Sequence, residues 1–186
     1  MTCIVGLETE QGVIIGADSA ASAGWDGWVT RLKKVFRRGD FLIGYTSSFR
    51  MGQLLQYKLD VSVQKEGQED LEFLTTTFID AVRTCLKDGG FAKVENLVEQ
   101  GGRFLVGYRG KLYVVSSDFQ VNMSRDGYQA VGCGASYALG NLLNSGDLLP
   151  KVRVRQALKA AAHFSNGVCG PFNILQLGEL ARKNSR

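Results

Sequence analysis

The residue whose type and place could do chemistry is Thr2, directly after Met1. An initiator methionine followed by a small residue is commonly trimmed, and trimming would leave a threonine carrying both a hydroxyl and a free α-amine. An α-amine has a pKa of about 7.7 to 8.0, so it can take the proton of its own hydroxyl near neutral pH without a histidine. The chemistry would be nucleophilic attack on a carbonyl. A Met-Thr start alone has no such meaning, so the rest of the chain must supply the argument. Other chemistries find little support. There is no Gly-x-x-x-x-Gly-Lys phosphate loop, and Gly132-Cys133-Gly134 followed by Ala135-Ser136-Tyr137 lacks the third glycine of a dinucleotide fingerprint. A Ser-His-Asp or Cys-His mechanism would need the only histidine, His163, which reads as a structural residue at a helix end. Cys3, Cys85, Cys133 and Cys169 have no Cys-x-x-Cys spacing, so they read as reduced, mostly buried thiols rather than a zinc site or disulfide framework; no metal or cofactor is expected.

The elements that must position Thr2 begin beside it. Cys3 to Thr9 and Val13 to Ala17 form a β-branched hairpin around Gln11-Gly12, and Lys34 to Arg38 with Phe41 to Thr46 repeats the arrangement around Gly39-Asp40. Ser19 to Trp28 between them reads as a small-residue loop. Met51, Leu54, Leu55 and Leu59 recur at helical spacing, as do Leu71, Leu74, Phe78, Val82 and Cys85 up to Asp88-Gly89-Gly90. A third hairpin turns at Arg109-Gly110, a short strand covers Tyr128 to Val131, helices span Tyr137 to Leu143 and Val152 to Phe164, and Phe172 to Leu177 is a strand. Strands, two helices, strands, two helices and a strand suit an α+β architecture of two antiparallel sheets with helices on both outer faces, as one domain over 1–186. Gln64 to Glu69, Glu95 to Gly102 and Arg182 to Arg186 are the candidates for disorder. The acidic cluster Glu69, Asp70 and Glu72 reads as a solvated helix start.

Composition sets the outer bounds. The chain has 186 residues, 45% of them apolar, and a formal net charge of +4. A chain of this length removes roughly 70% of its unfolded surface from water and needs no crosslink to fold. The mild positive balance is not the clustered basic face of a nucleic-acid binder. No apolar run approaches the ~20 residues of a membrane span. The N-terminus lacks a basic region ahead of an apolar one, with Glu8 and Glu10 where the latter would lie, so a cytoplasmic protein is expected.

Thr2-Cys3-Ile4-Val5-Gly6, Gly12-Val13-Ile14-Ile15-Gly16-Ala17-Asp18-Ser19, Lys33-Lys34-Val35 and Phe41-Leu42-Ile43-Gly44 together resemble the proteasome β-subunit and HslV-type threonine peptidases, members of the N-terminal nucleophile hydrolases. The resemblance runs from Thr2 to about Ser48. It implies a four-layer αββα sandwich and puts the nucleophile at Thr2, the active-site aspartate at Asp18 and the catalytic lysine at Lys34. An acid ending one hairpin strand and a lysine opening the next can both converge on the first residue of an adjacent strand. A cation at Lys34 would lower the pKa of the Thr2 hydroxyl and amine, and Asp18 would hold that cation. The ungapped match gives the oxyanion donor as the backbone N–H of Ser48, or of Ser47 if the second hairpin is one residue shorter.

Further along, Cys133 takes the place of the family's auxiliary serine, and Asn166 and Cys169 take those of its assisting aspartate and serine. An amide carries no charge and a thiol is a weak donor, so both are weaker partners. The match places Ala21, Ser22, Leu32, Thr46 and Arg50 around the specificity pocket, where Arg50 could select acidic or small polar residues or simply start a helix on the surface. The resemblance also implies a polypeptide substrate, a homo-oligomeric ring (hexamer or heptamer, single or stacked) and an ATP-driven unfoldase as partner. Apolar Tyr137-Ala138-Leu139, Leu142-Leu143 and Phe49-Met51-Leu54-Leu55 offer surfaces for such a ring or for the core. Two alternatives keep the fold: a noncatalytic ring scaffold that retains Met1, and an amidase acting on small amides.

Overall fold

The computed structural model describes residues 1–95 and 97–178. In chain order the strands and helices are β1 (Cys3–Thr9), β2 (Gly12–Ala17), β3 (Ala20–Ala23), β4 (Asp26–Val29), β5 (Val35–Arg38), β6 (Phe41–Tyr45), α1 (Phe49–Tyr57), α2 (Asp70–Phe73), a π-helical turn (Leu74–Phe78), α3 (Ile79–Asp88), β7 (Lys93–Glu95), β8 (Val98–Gln100), β9 (Phe104–Tyr108), β10 (Lys111–Val115), β11 (Val121–Met123), β12 (Tyr128–Gly132), α4 (Ala135–Leu143), α5 (Pro150–Phe164) and β13 (Asn173–Leu177). One sheet has the order β12-β1-β2-β13 and the other β11-β10-β9-β6-β5, and every pairing in them is antiparallel.

The period of two along each strand divides the apolar residues among three clusters. Ile4, Val13, Ile15 and Ala17 of the first sheet meet Val35, Leu42, Leu105 and Leu112 of the second. The opposite face of the first sheet, with Cys3, Val5, Leu7 and Ile14, packs under Ala138 and Leu142 of α4 and Val154, Ala157, Leu158 and Ala161 of α5. The opposite face of the second, with Phe41, Ile43, Phe104, Val106 and Tyr108, packs under Met51, Leu54, Leu55, Phe73, Phe78 and Val82 from the other helices. Each fully buried side chain of this kind contributes about 1.5 to 3 kcal/mol from removal of its apolar surface from water.

Two expectations need correction. The segment from Ser19 to Trp28 is not a loop: Ala20 to Ala23 pairs with Asp26 to Val29 in a hairpin whose Gly24 has φ of +58°. The described part of Glu95 to Gly102, which leaves out Asn96, is not disordered either, because β7 and β8 pair there, with Leu97 at φ +67°. On α1, Met51, Leu54 and Leu55 are consumed by the core, whereas Tyr137 (44% exposed) and Leu143 (70%) of α4 do face outward. The helix from Asp70 is interrupted by its π turn, which contains Thr75 and Thr76, whose hydroxyls donate to the carbonyls of Leu71 and Glu72 and so compete with the regular ladder. Gln64 to Glu69 carries no helix or strand. The expectation for Arg182 to Arg186 lies outside the described residues. Among the described residues, no helix is long and apolar enough to cross a membrane.

Candidate active site

Strand pairing brings the site together. Cys3 pairs with Gly132 on one side and Ile4 with Ala17 on the other, so Thr2 emerges between the end of β12 and the end of β2. Asp18 follows Ala17 directly, and Lys34 precedes β5 of the facing sheet. Thr2 is 5% exposed, Lys34 1% and Asp18 0%. The Lys34 ammonium donates to Thr2 Oγ1 at 3.0 Å and to Asp18 Oδ1 at 2.9 Å. Asp18 also accepts from the Cys3 N–H at 3.0 Å and from the Ala20 N–H at 2.7 Å. A buried ion pair is held only when its remaining lone pairs are satisfied, and these two backbone donors do that for the carboxylate. The resemblance had put the catalytic lysine at Lys34 rather than Lys33, and the structure exposes Lys33 while burying Lys34.

The carbonyl of Met1 accepts a hydrogen bond from Thr2 Oγ1. On the other flank the Thr2 N–H donates to Cys133 Sγ at 3.3 Å, while the Cys133 thiol and the Gly134 N–H both point at the Thr2 carbonyl, at 3.5 and 3.4 Å. This close crossing requires glycine at 132, where φ is +102° and an added Cβ would lie 2.1 Å from the Thr2 carbonyl oxygen. Asn166 is exposed and Cys169 half-buried; neither makes a recorded side-chain bond to Thr2. Cys169 instead contributes its carbonyl to the Ser19 N–H at 2.9 Å, and burial raises its thiol pKa, with Asp18 adding and Lys34 opposing. The Cys3 thiol is pushed up to about 12, first by burial and then by Asp18.

Ser48 is not available as a free amide donor here. Its N–H donates to the Thr46 carbonyl at 2.8 Å, and its hydroxyl caps α1 by accepting from the Arg50 N–H at 3.1 Å. Ser47 has the glycine-like backbone, with φ of +69°, and its hydroxyl accepts from the Arg103 N–H at 3.1 Å. A cleft of about 80 Å³ beside Thr2 is lined by Met1, Ala21, Ser22, Lys34, Tyr45, Thr46, Ser47, Ser48 and Phe49. Thus Ala21, Ser22 and Thr46 reach the cleft as expected from the sequence, while Leu32 and Arg50 do not line it. Leu32 is 49% exposed, and the Arg50 guanidinium is turned to the Gly89 carbonyl at 3.0 Å. Met1 also borders a second cavity of about 300 Å³, with Gly27, Trp28, Asn166 and Cys169 on its walls.

What the sequence did not single out is Ser165, whose hydroxyl is 3.5 Å from Cys133 Sγ, and Gly167, which gives the thiol its room. No local pattern marks either; only the fold sets α5's end beside β12's. His163 is exposed and stacks edge-on with Phe164, consistent with a role outside the site. Among the described residues no group of three or more His, Cys, Asp or Glu side chains is placed to hold a metal ion.

No family model matches the sequence, and no curated protein is found similar to it by sequence. Solved structures are similar. BPH from Thiobacillus denitrificans superposes with a TM-score of 0.76 at 19% identity, over 95% of this chain and 98% of that one. The same protein in complex with epoxomicin gives 0.76 at 18%, over 95% and 99%. Eukaryotic HslV from Trypanosoma brucei gives 0.67 at 16%, over 95% and 99%, and an Anbu mutant from Hyphomicrobium sp. strain MC1 gives 0.67 at 16%, over 96% and 82%. At these identities the likeness is one of fold, and in fold this chain resembles the proteasome-like, HslV-type threonine peptidases.

Proposed function

We propose that the chain is a threonine-type peptidase in which Thr2, freed of Met1, is the nucleophile. The observation that carries the reading is the Lys34 ammonium held between Thr2 Oγ1 and Asp18 Oδ1 in a buried site. Loss of Met1 turns the Thr2 amide nitrogen into an amine and removes the carbonyl that now accepts the Thr2 hydroxyl. The amine takes the hydroxyl proton as Oγ1 attacks the scissile carbonyl, and Lys34 stabilises the negative charge on Oγ1. The oxyanion that develops is received by a backbone N–H of the Thr46–Ser48 turn; Ser47, whose backbone is already left-handed, replaces Ser48 in that role. The amine then passes its proton to the leaving nitrogen, and water hydrolyses the acyl-threonine.

The narrow cleft walled by Ala21, Ser22 and Thr46 fits small side chains before the cut, with no acidic preference from Arg50. The three apolar clusters support a four-layer αββα arrangement within one domain. Fold kinship with HslV supports a cytoplasmic homo-oligomeric ring, of six or seven subunits, single or stacked, fed with polypeptide by an ATP-driven unfoldase. Exposed Tyr137 and Leu143 are available for its contacts. The scaffold reading requires that Met1 stay, in which case Thr2 has no free amine and its hydroxyl remains bound to the Met1 carbonyl.

The test is an intact mass before and after incubation with a peptide epoxyketone, whose ring adduct needs both the free amine and the hydroxyl. A chain lighter by one methionine that gains one adduct, lost in Thr2→Ala together with peptide hydrolysis, is the expected result. Retained Met1 with no adduct makes the scaffold the better reading, and full hydrolysis by Thr2→Ala overturns the mechanism.

A further inference from the structure

Of the four cysteines, Cys85 lies on α3 away from the site and bonds the Leu54 carbonyl. Cys3 follows Thr2 directly, Cys169 accepts from the Ser19 N–H through its carbonyl, and Cys133 alone brings its thiol to Thr2. Cys133 Sγ accepts from the Thr2 nitrogen at 3.3 Å, and its thiol proton points to the Thr2 carbonyl at 3.5 Å. A thiol has one proton. With that proton on the Thr2 carbonyl, the Ser165 hydroxyl, 3.5 Å from Sγ, is the donor in its contact with the sulfur. Ser165 is itself fixed. As the residue ending α5 it donates its N–H to the Ala161 carbonyl at 2.9 Å, and its carbonyl accepts from the Val168 N–H at 3.0 Å. Sulfur is larger than oxygen, and Gly167 makes the space, since a Cβ there would sit 2.8 Å from Cys133 Sγ.

We infer that Ser165 acts through Cys133 as a positioning residue for the Thr2 amine, a two-step chain from hydroxyl to thiol to amine that stands in for the charged assistance Asn166 and Cys169 do not provide. The inference rests on Thr2 being freed as proposed above. When the amine holds the proton taken from Oγ1, one of its N–H bonds is directed to Sγ, and the Ser165 O–H keeps the sulfur lone pairs oriented to receive it. The other titratable groups around Thr2 are Lys34 and Asp18 from the β5 and β2 ends, Tyr45 of β6 in the same cleft and Cys3 on its own strand, while Cys169 ahead of β13 lines the second cavity with Met1. All of these stay unchanged when Ser165 is altered, which makes that residue a clean handle.

The test measures the Thr2 amine directly. Full-length protein with Thr2 exposed by removal of a cleavable leader is labelled with acetic anhydride across pH, and the midpoint of N-terminal labelling is read by mass spectrometry. Ser165→Ala is expected to move that midpoint and to lower kcat about two- to ten-fold at unchanged KM, the effect of one lost hydrogen bond. In a Cys133→Ala background the same change is expected to move neither, whereas Cys133→Ser restores the dependence on Ser165. An unmoved midpoint in Ser165→Ala, or equal shifts with and without Cys133, overturns the inference. Ser165→Thr keeps the hydroxyl and serves where Ser165→Ala does not fold. A midpoint that moves in a protein without hydrolysis upholds the inference and sinks the peptidase reading. Hydrolysis through Thr2 with an indifferent midpoint does the reverse.

Discussion

Replacing Lys34 by methionine keeps the length of the side chain and removes its charge. The Asp18 carboxylate, 0% exposed, then keeps only the Cys3 and Ala20 N–H donors, and the cation 2.9 Å away is gone. Breaking a buried pair by removing one partner costs about 3 to 5 kcal/mol, because the other charge stays desolvated. For a domain of this size each kcal/mol moves the midpoint by roughly 2 to 4 °C, so Lys34→Met is expected to lower Tm by about 6 to 20 °C. Lys33→Ala, on an exposed side chain, should stay within about 0.5 kcal/mol. Adding Asp18→Asn to Lys34→Met should return part of the loss: the Born penalty goes, but the amide oxygen can accept from only one of the Cys3 and Ala20 N–H groups that the two carboxylate oxygens now share. Thermal unfolding of the four proteins, followed by circular dichroism at one pH, measures all of this. The reasoning is refuted if Lys34→Met loses no more than Lys33→Ala, or if the double variant is less stable than Lys34→Met alone. Peptide hydrolysis should vanish in both Lys34→Met proteins and persist in Lys33→Ala.

Two glycines should respond oppositely to alanine. Gly132→Ala places a Cβ 2.1 Å from the Thr2 carbonyl at φ +102° and should cost about 1 to 3 kcal/mol while displacing Thr2 and lowering turnover; Gly140→Ala, in α4 with nothing within 4 Å, should add about 0.5 to 1 kcal/mol. Urea midpoints of the two variants check the signs. Stability should fall in alkali. The Cys3 thiol is raised from 9.0 to about 12, and the Tyr45 and Tyr113 hydroxyls from 10.0 to about 12, chiefly by burial. Below pH 9 these groups are neutral folded and unfolded. Between about 9 and 12 only the unfolded chain loses their protons, so stability is lost as pH rises through that window, and Tm measured from pH 7 to 11 should drop only above about 9. Iodoacetamide at pH 8 should modify exposed Cys133 and leave Cys3 untouched, as peptide mapping would reveal.

How far the sequence reaches can be judged from particular residues. Cys3-Ile4-Val5 and Val13-Ile14-Ile15 are unbroken apolar runs rich in β-branched residues, a local feature that marks strands, whereas the division of Ile4, Val13 and Ile15 from Cys3, Val5 and Ile14 between two buried faces came from the packing. The hairpin turns at Gln11-Gly12, Gly39-Asp40 and Arg109-Gly110 are local as well, because turn chemistry depends on backbone freedom over two or three residues. The Ala20 to Val29 hairpin was missed because its small and exposed residues form no such run, and only the pairing of its two strands, as at Ala21 with Trp28, makes it a ribbon. At the site, Thr2, Asp18 and Lys34 were singled out by the resemblance of the first fifty residues to a known family, and the two facing sheets bring them together from the ends of β1, β2 and β5.

The chain by itself thus determined the strands and helices that carry β-branched runs or a helical period, since those features depend on near neighbours, and its resemblance to a known family pointed to Thr2, Asp18 and Lys34. Tertiary structure alone decided the rest. It turned Arg50 to the Gly89 carbonyl, bound the Ser48 amide to Thr46, and gave Ser47 the left-handed backbone. It also carried Cys133, Ser165 and Gly167, from the ends of β12 and α5, to one point beside Thr2. The physical reason is that direction and distance between side chains far apart in sequence come from how α5 packs on the first sheet, and no periodicity within a segment encodes that angle.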